Sequence, residues 1–135
     1  SIATPLLGAL GYYLQATLRK RSEVEKEARD RLRTIYAEMY KEIPYIFFPE
    51  IRDKVSAEER LAHAQAFFGR YGEIWLHSIS DDSIRKLNEV LALYKVVPPQ
   101  DQAGKAVAEF FLAARRELQG KTTLTAEDYR FLRVS

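Results

Sequence analysis

Pro5 and Pro44 bracket a long stretch that holds no other proline. Proline suits the first turn of a helix, and it disfavours helical backbone in the residue before it. The pair therefore predicts a single helix from Pro5 to Ile43, 39 residues long. Apolar residues keep spacings of three and four at both ends of it. Ala3, Leu7, Leu10 and Leu14 do so early, and Ala28, Leu32, Ile35, Met39 and Ile43 late. At about 1.5 Å per residue such a helix reaches roughly 58 Å. The other predicted helices reach only roughly 24 to 31 Å. Nearly half of the first helix thus has no partner within the chain, and soluble monomers rarely leave an apolar stripe uncovered.

Charge divides this helix into parts. Residues 1–18 carry no charge and include eleven apolar side chains, and Arg19, Lys20 and Arg21 follow at once. An uncharged stretch ending in a basic cluster is the pattern of a membrane span at its cytoplasmic end. Eighteen residues give roughly 27 Å, marginal against a hydrocarbon core of about 30 Å. The only methionine is Met39; if the chain is cut from a longer one, a complete span fits upstream. The alternative cover is another copy of the chain. Leu7, Leu10 and Leu14 would then form the contact, with Gly8 letting a second helix approach. Between Arg19 and Arg33, eleven of fifteen residues are charged. Glu25–Arg29, Lys26–Asp30 and Glu27–Arg31 are opposite charges four apart, which support an exposed helix. The expected organisation is a hydrophobic helix over 1–18, a charged stalk over 19–33, and a helical bundle over 34–135.

The remaining chain reads as three more helices. Ser56 with Glu59 three residues later is a capping box. It opens a helix running to about His77, with Leu61, Ala64, Phe68, Tyr71 and Trp75 on one face, widened by Phe67 and Ile74. Ser80 opens the next, with Asp81 and Asp82 at the positive end of its dipole and Ile79 and Ile84 placed as a hydrophobic staple. Its stripe is Ile84, Leu87, Leu91 and Tyr94, and Pro98-Pro99 stops it. The last runs from about Asp101 to Gln119, where Gly120 marks a stop. Thr125 begins a final turn. The predicted fold is all-α, an up-and-down four-helix bundle with an overlong first helix. Its expected core is Leu32, Ile35, Met39, Leu61, Phe68, Trp75, Leu87, Leu91, Phe110 and Leu118. Tyr45, Phe47 and Phe48 fall in the first connection, unusually aromatic for one. They either fold back to plug the open end of the bundle or form a docking patch for a partner.

Catalytic constellations are not found. The chain has no cysteine, no HExxH motif, no glycine-rich phosphate loop and no nucleophile elbow. His63 and His77 lie roughly 21 Å apart on one predicted helix and cannot share a metal. Asp81 and Asp82 are neighbours that point about 100° apart, as cap residues do. Lys and Arg total 21 against 19 Asp and Glu, too even a balance for a dedicated nucleic-acid binder. No catalytic, cofactor or metal residue is therefore assigned. The function expected is a non-enzymatic interaction or scaffold module, membrane-tethered or oligomeric. The competing expectation is a ligand-binding or enzymatic bundle, with tyrosines and the two histidines lining a site between helices.

Three stretches, Arg29 to Tyr36, Glu73 to Ile84, and Ala114 to Gly120 with Leu124 to Asp128, carry a resemblance. The pattern resembles a group of small uncharacterised bacterial proteins in which a hydrophobic N-terminal helix leads through a charged stalk into a compact helical domain. It covers most of the chain. What the resemblance implies is a helical fold and a bacterial membrane location, and no activity. With Arg19 to Arg21 after the uncharged run, the expected place is the cytoplasmic side of a bacterial inner membrane, or otherwise the cytoplasm.

Overall fold

The structure, a computed structural model, describes residues 3–96 and 100–129. Its helices are α1 (Ala3–Phe47), α2 (Pro49–Arg52), α3 (Ala57–Phe68), α4 (Tyr71–His77), α5 (Asp81–Tyr94) and α6 (Gln100–Gln119), followed by a 3-10 turn at Ala126–Asp128. No strand occurs among the described residues. The chain divides into two compact units between Arg31 and Leu32.

In the first unit every residue from Leu6 to Arg31 is exposed. Leu7, Leu10 and Leu14 are 68%, 55% and 52% exposed. Arg21 and Glu25 pair across one turn at 3.6 Å. No helix among the described residues is long and apolar enough to cross a membrane. Tyr12, Tyr13, Gln15 and Thr17 dilute the leucines too far. Gly8 is also displaced from the role expected of it. At about 100° per residue it stands at least 100° around the helix from Leu7, Leu10 and Leu14, so it opens no space on their stripe.

The second unit holds the core. Leu32, Ile35, Tyr36, Met39 and Ile43 form the buried stripe of α1. Phe110 of α6 sits at the centre, edge-on to Tyr36 at 5.8 Å and to Phe67 at 6.3 Å between ring centroids. The serine N-caps and the glycine stop act as read, whereas Ile79, 88% exposed, does not pack as a staple on Ile84. The Ser56 hydroxyl accepts from Glu59 N–H at 3.1 Å, and the Ser80 hydroxyl from Ser83 N–H at 3.3 Å. Gly120 ends α6 at φ 88°, in the left-handed region where glycine is favoured. Thr125 and Asp128 form a reciprocal capping box around the last turn.

Three expectations are corrected. First, α1 does not stop before Pro44 but passes through it to Phe47. Proline inside a helix costs about 3 kcal/mol. Ile46, Phe47 and Phe48 are all buried, at about 1.5–3 kcal/mol each, which outweighs that cost. Phe47 and Phe48 are therefore core, not a free docking surface. Second, the expected second helix is broken into α3 and α4 around Gly69 and Arg70. A Cβ at Gly69 would lie 2.5 Å from the Gln65 carbonyl oxygen, so glycine permits the close return of the backbone. Third, the buried face of these helices is Ala64, Phe67 and Ile74. Leu61 and Trp75 are exposed, and Phe68 is only partly buried. The two candidate stripes share Ala64 and differ by a small rotation; packing of Phe67 on Phe110 selects the second. Leu91 and Leu118 are also only partly buried, whereas Leu87 and Phe110 are fully so.

Candidate functional site

The densest polar arrangement lies where the connection between α4 and α5 meets the end of α6. Glu117, in the last turn of α6, receives five hydrogen bonds. Its Oε1 accepts from the Tyr36 hydroxyl at 2.6 Å and the Ser83 hydroxyl at 3.3 Å. Its Oε2 accepts from the Ser78 hydroxyl at 2.6 Å, Ile79 N–H at 2.7 Å and Ser80 N–H at 3.1 Å. Burial, reinforced by the bond to the Glu117 carboxylate and its charge, pushes the Tyr36 hydroxyl well above the ordinary tyrosine range. A carboxylate offers about four lone-pair sites, and donors of the chain itself fill those of Glu117. It is a positioning group and not a free acid or base. It ties α1, α6 and the residue 78–80 connection into one corner.

That corner presents apolar side chains outward. Trp75, Leu76 and Ile79 are 57%, 77% and 88% exposed. Tyr71 stacks beside Trp75, with centroids 6.2 Å apart and rings 21° from parallel. The Tyr71 hydroxyl donates to Asn88 Oδ1 at 2.7 Å, which fixes α4 against α5. A groove of about 460 Å³ adjoins the tryptophan, lined by Trp75, Ser78, Asp81, Ile84, Arg85 and Asn88. Lys86 donates to Glu109 at 3.3 Å and joins α5 to α6. Burial opposes its charge, but Glu109, Glu89 and Asp82 outweigh this and raise the ammonium above its ordinary range.

The histidines go elsewhere. His63 pairs through Nδ1 with Glu42, and Tyr45 stacks on its ring at 3.9 Å and 8°. Tyr45 thus packs on α3 instead of standing free. His77 is exposed at the end of α4. Arg70 pairs with Glu38 of α1 and with Glu73 at 3.1 Å. Among the described residues no three His, Asp or Glu side chains converge on a metal position. A second groove, about 360 Å³, includes Phe111, Leu112, Leu124, Asp128 and Tyr129 in its lining. The tyrosine hydroxyl there is driven upward in pKa by burial and by Tyr40. Arg19, Lys20 and Arg21 are exposed on the first unit.

Glu117 escaped the sequence reading. Its one signal was polarity against the dipole: a carboxylate in the last turn of a helix opposes the negative helix end and needs donors. The serine-rich run Ser78-Ile79-Ser80 supplies them. No family model matches the chain, and no curated protein or solved structure is detectably similar to it.

Proposed function

We propose that this protein is a non-enzymatic docking module whose second unit presents the Trp75, Leu76 and Ile79 surface to a protein partner. The finer architecture belongs to the same reading. The second unit is an up-and-down four-helix bundle whose rods are the C-terminal part of α1, α3 with α4, α5, and α6. Short connections favour antiparallel neighbours, and α5 packs along α6. Residues 1–18 attach the module, to a membrane or to another copy.

One observation carries the reading: three large apolar side chains are exposed within five residues of chain, on a corner held by Glu117. Exposed apolar clusters with a polar rim mark interaction sites, and tryptophan is enriched among energetic anchors. Rigidity matters because an ordered surface loses less entropy on binding. Ile84 in the groove beside Trp75 supplies an apolar wall, and Asp81, Arg85 and Asn88 supply the rim.

The experiment is retention of cell proteins on the immobilised full chain, compared among wild type, Trp75→Ala, Ile79→Asp and Leu61→Ala. A specific partner is lost with the first two substitutions and kept with the third. If the folded Trp75→Ala and Ile79→Asp chains retain the same proteins as wild type, this surface is not the docking site.

A further inference from the structure

We infer that Leu6 to Arg21 of α1 is a binding element for the surface of an anionic lipid bilayer, seated in the interface and not across it. The inference deepens the attachment part of the proposed reading and is independent of the Trp75 surface, so either can fail alone.

The first observation is the shape of the apolar face. Leu6, Leu7, Leu10, Leu14 and Leu18 are all more than half exposed. At about 100° per residue they fan over about 120° of the helix, with Tyr13 at one margin and Thr17 inside the fan, its hydroxyl donated to the Tyr13 carbonyl at 2.8 Å. Gly8, Tyr12, Gln15 and Ala16 occupy the other side. A pairwise helix seam uses a narrower stripe, so one partner helix leaves much of this leucine face in water. A bilayer interface covers the whole of it.

The second observation is charge. Residues 1–22 carry three cations and no anion, whereas residues 23–135 carry 18 cations against 19 anions. All the excess positive charge of the chain is thus gathered in Arg19, Lys20 and Arg21, directly after Leu18; Arg21 continues the leucine face, Lys20 flanks it and Arg19 stands on the opposite side. A parallel pair of these helices brings the two basic clusters together, where they repel. An anionic headgroup layer attracts both. The long stems of Arg and Lys also let their charges stay among headgroups while the leucines enter the acyl boundary.

The third observation sets the depth. No helix among the described residues is long and apolar enough to cross a membrane. Exposed Tyr13, at the margin of the leucine face, is suited to the headgroup level, where ring and hydroxyl meet different media. The element therefore lies at the surface and is held by two weak signals together, apolar burial and cationic attraction.

The test is co-sedimentation of the full chain with vesicles of phosphatidylcholine and phosphatidylserine, roughly three to one, and with phosphatidylcholine alone. Binding is expected on the anionic vesicles and is expected to weaken with added salt. Neutralising the cluster in Arg19→Gln/Lys20→Gln/Arg21→Gln weakens it about 5-fold per cation, or roughly 100-fold in all. Leu10→Asp/Leu14→Asp abolishes it while leaving the circular dichroism of the folded chain in place. Trp75 emission stays unshifted by vesicles, because contact is made by the first unit. Several outcomes overturn the inference. These are no binding to anionic vesicles, binding that survives Leu10→Asp/Leu14→Asp, binding equal on both vesicle types, or extraction only by detergent. A salt-stable dimer that ignores vesicles and is lost in Leu10→Asp/Leu14→Asp also overturns it, in favour of a second copy.

Discussion

Replacing Glu117 by alanine removes the acceptor that five donors share. Hydrogen bonds to a charged group contribute about 1.5–3 kcal/mol each when measured singly. Their sum overstates the loss. The carboxylate is partly buried and carries a desolvation penalty of its own. Three of the donors, on Tyr36, Ser78 and Ser83, are hydroxyls that can rotate toward other acceptors. Ile79 and Ser80 are fixed backbone N–H groups, but their connection borders solvent and water can reach it. The two shortest bonds to hydroxyls, 2.6 Å each, and the 2.7 Å bond from Ile79 N–H dominate what remains. The expected loss for Glu117→Ala is about 2–4 kcal/mol, large against the 5–15 kcal/mol that holds a typical domain. Glu117→Gln is expected to lose about half as much. Its oxygen can serve the two backbone donors while its amide turns toward the Tyr36 and Ser83 oxygens. Urea denaturation followed by far-ultraviolet circular dichroism measures both, and amide exchange at Ile79 and Ser80 reports the corner itself. A Glu117→Ala chain within about 0.5 kcal/mol of wild type, with those two amides exchanging no faster, refutes the assignment of Glu117 as the clamp.

Other consequences are as direct. Gly69→Ala places a Cβ against the Gln65 carbonyl oxygen, and forcing the backbone apart should cost about 1–3 kcal/mol in the same denaturation assay. Ile74→Ala, at a fully buried position, should cost about 2–5 kcal/mol, and exposed Leu61→Ala no more than about 0.5 kcal/mol; the reverse order would restore the other helix face. Alkaline pH should destabilise the fold. Tyr36 and Lys86 have folded pKa values raised above their ordinary 10.0 and 10.5. Their contributions are therefore complete below about pH 10 and are lost as pH rises and the unfolded chain gives up protons first. Denaturation midpoints measured from pH 8 to 11 should fall at the upper end, less steeply in Tyr36→Phe. Ala28→Gly in the exposed stalk should lower helix stability by roughly 1 kcal/mol, seen as earlier loss of helical dichroism on heating.

The features legible in the chain were those whose cause lies within one helical turn. Ser56 and Ser80 cap because their hydroxyls meet N–H donors three residues away. Thr125 opens the last turn by donating its N–H and hydroxyl to the Asp128 carboxylate three residues on, and Gly120 ends α6 because the left-handed backbone there favours glycine. The exposed stretch from Arg19 to Arg31 follows from charge density alone. Other features turned on contacts that local pattern cannot rank. Pro44 reads as a stop, yet the burial of Ile46, Phe47 and Phe48 carries α1 beyond it. Leu61–Phe68–Trp75 and Ala64–Phe67–Ile74 both satisfy helical spacing, and only packing against Phe110 chooses between them. That choice turned Trp75 from an expected core residue into the centre of the exposed surface. The Glu117 clamp joins residues 34 to 81 positions apart, where no periodicity reaches. Spacing constrains which side chains share a face; which face is buried depends on the free energy of the neighbours it meets.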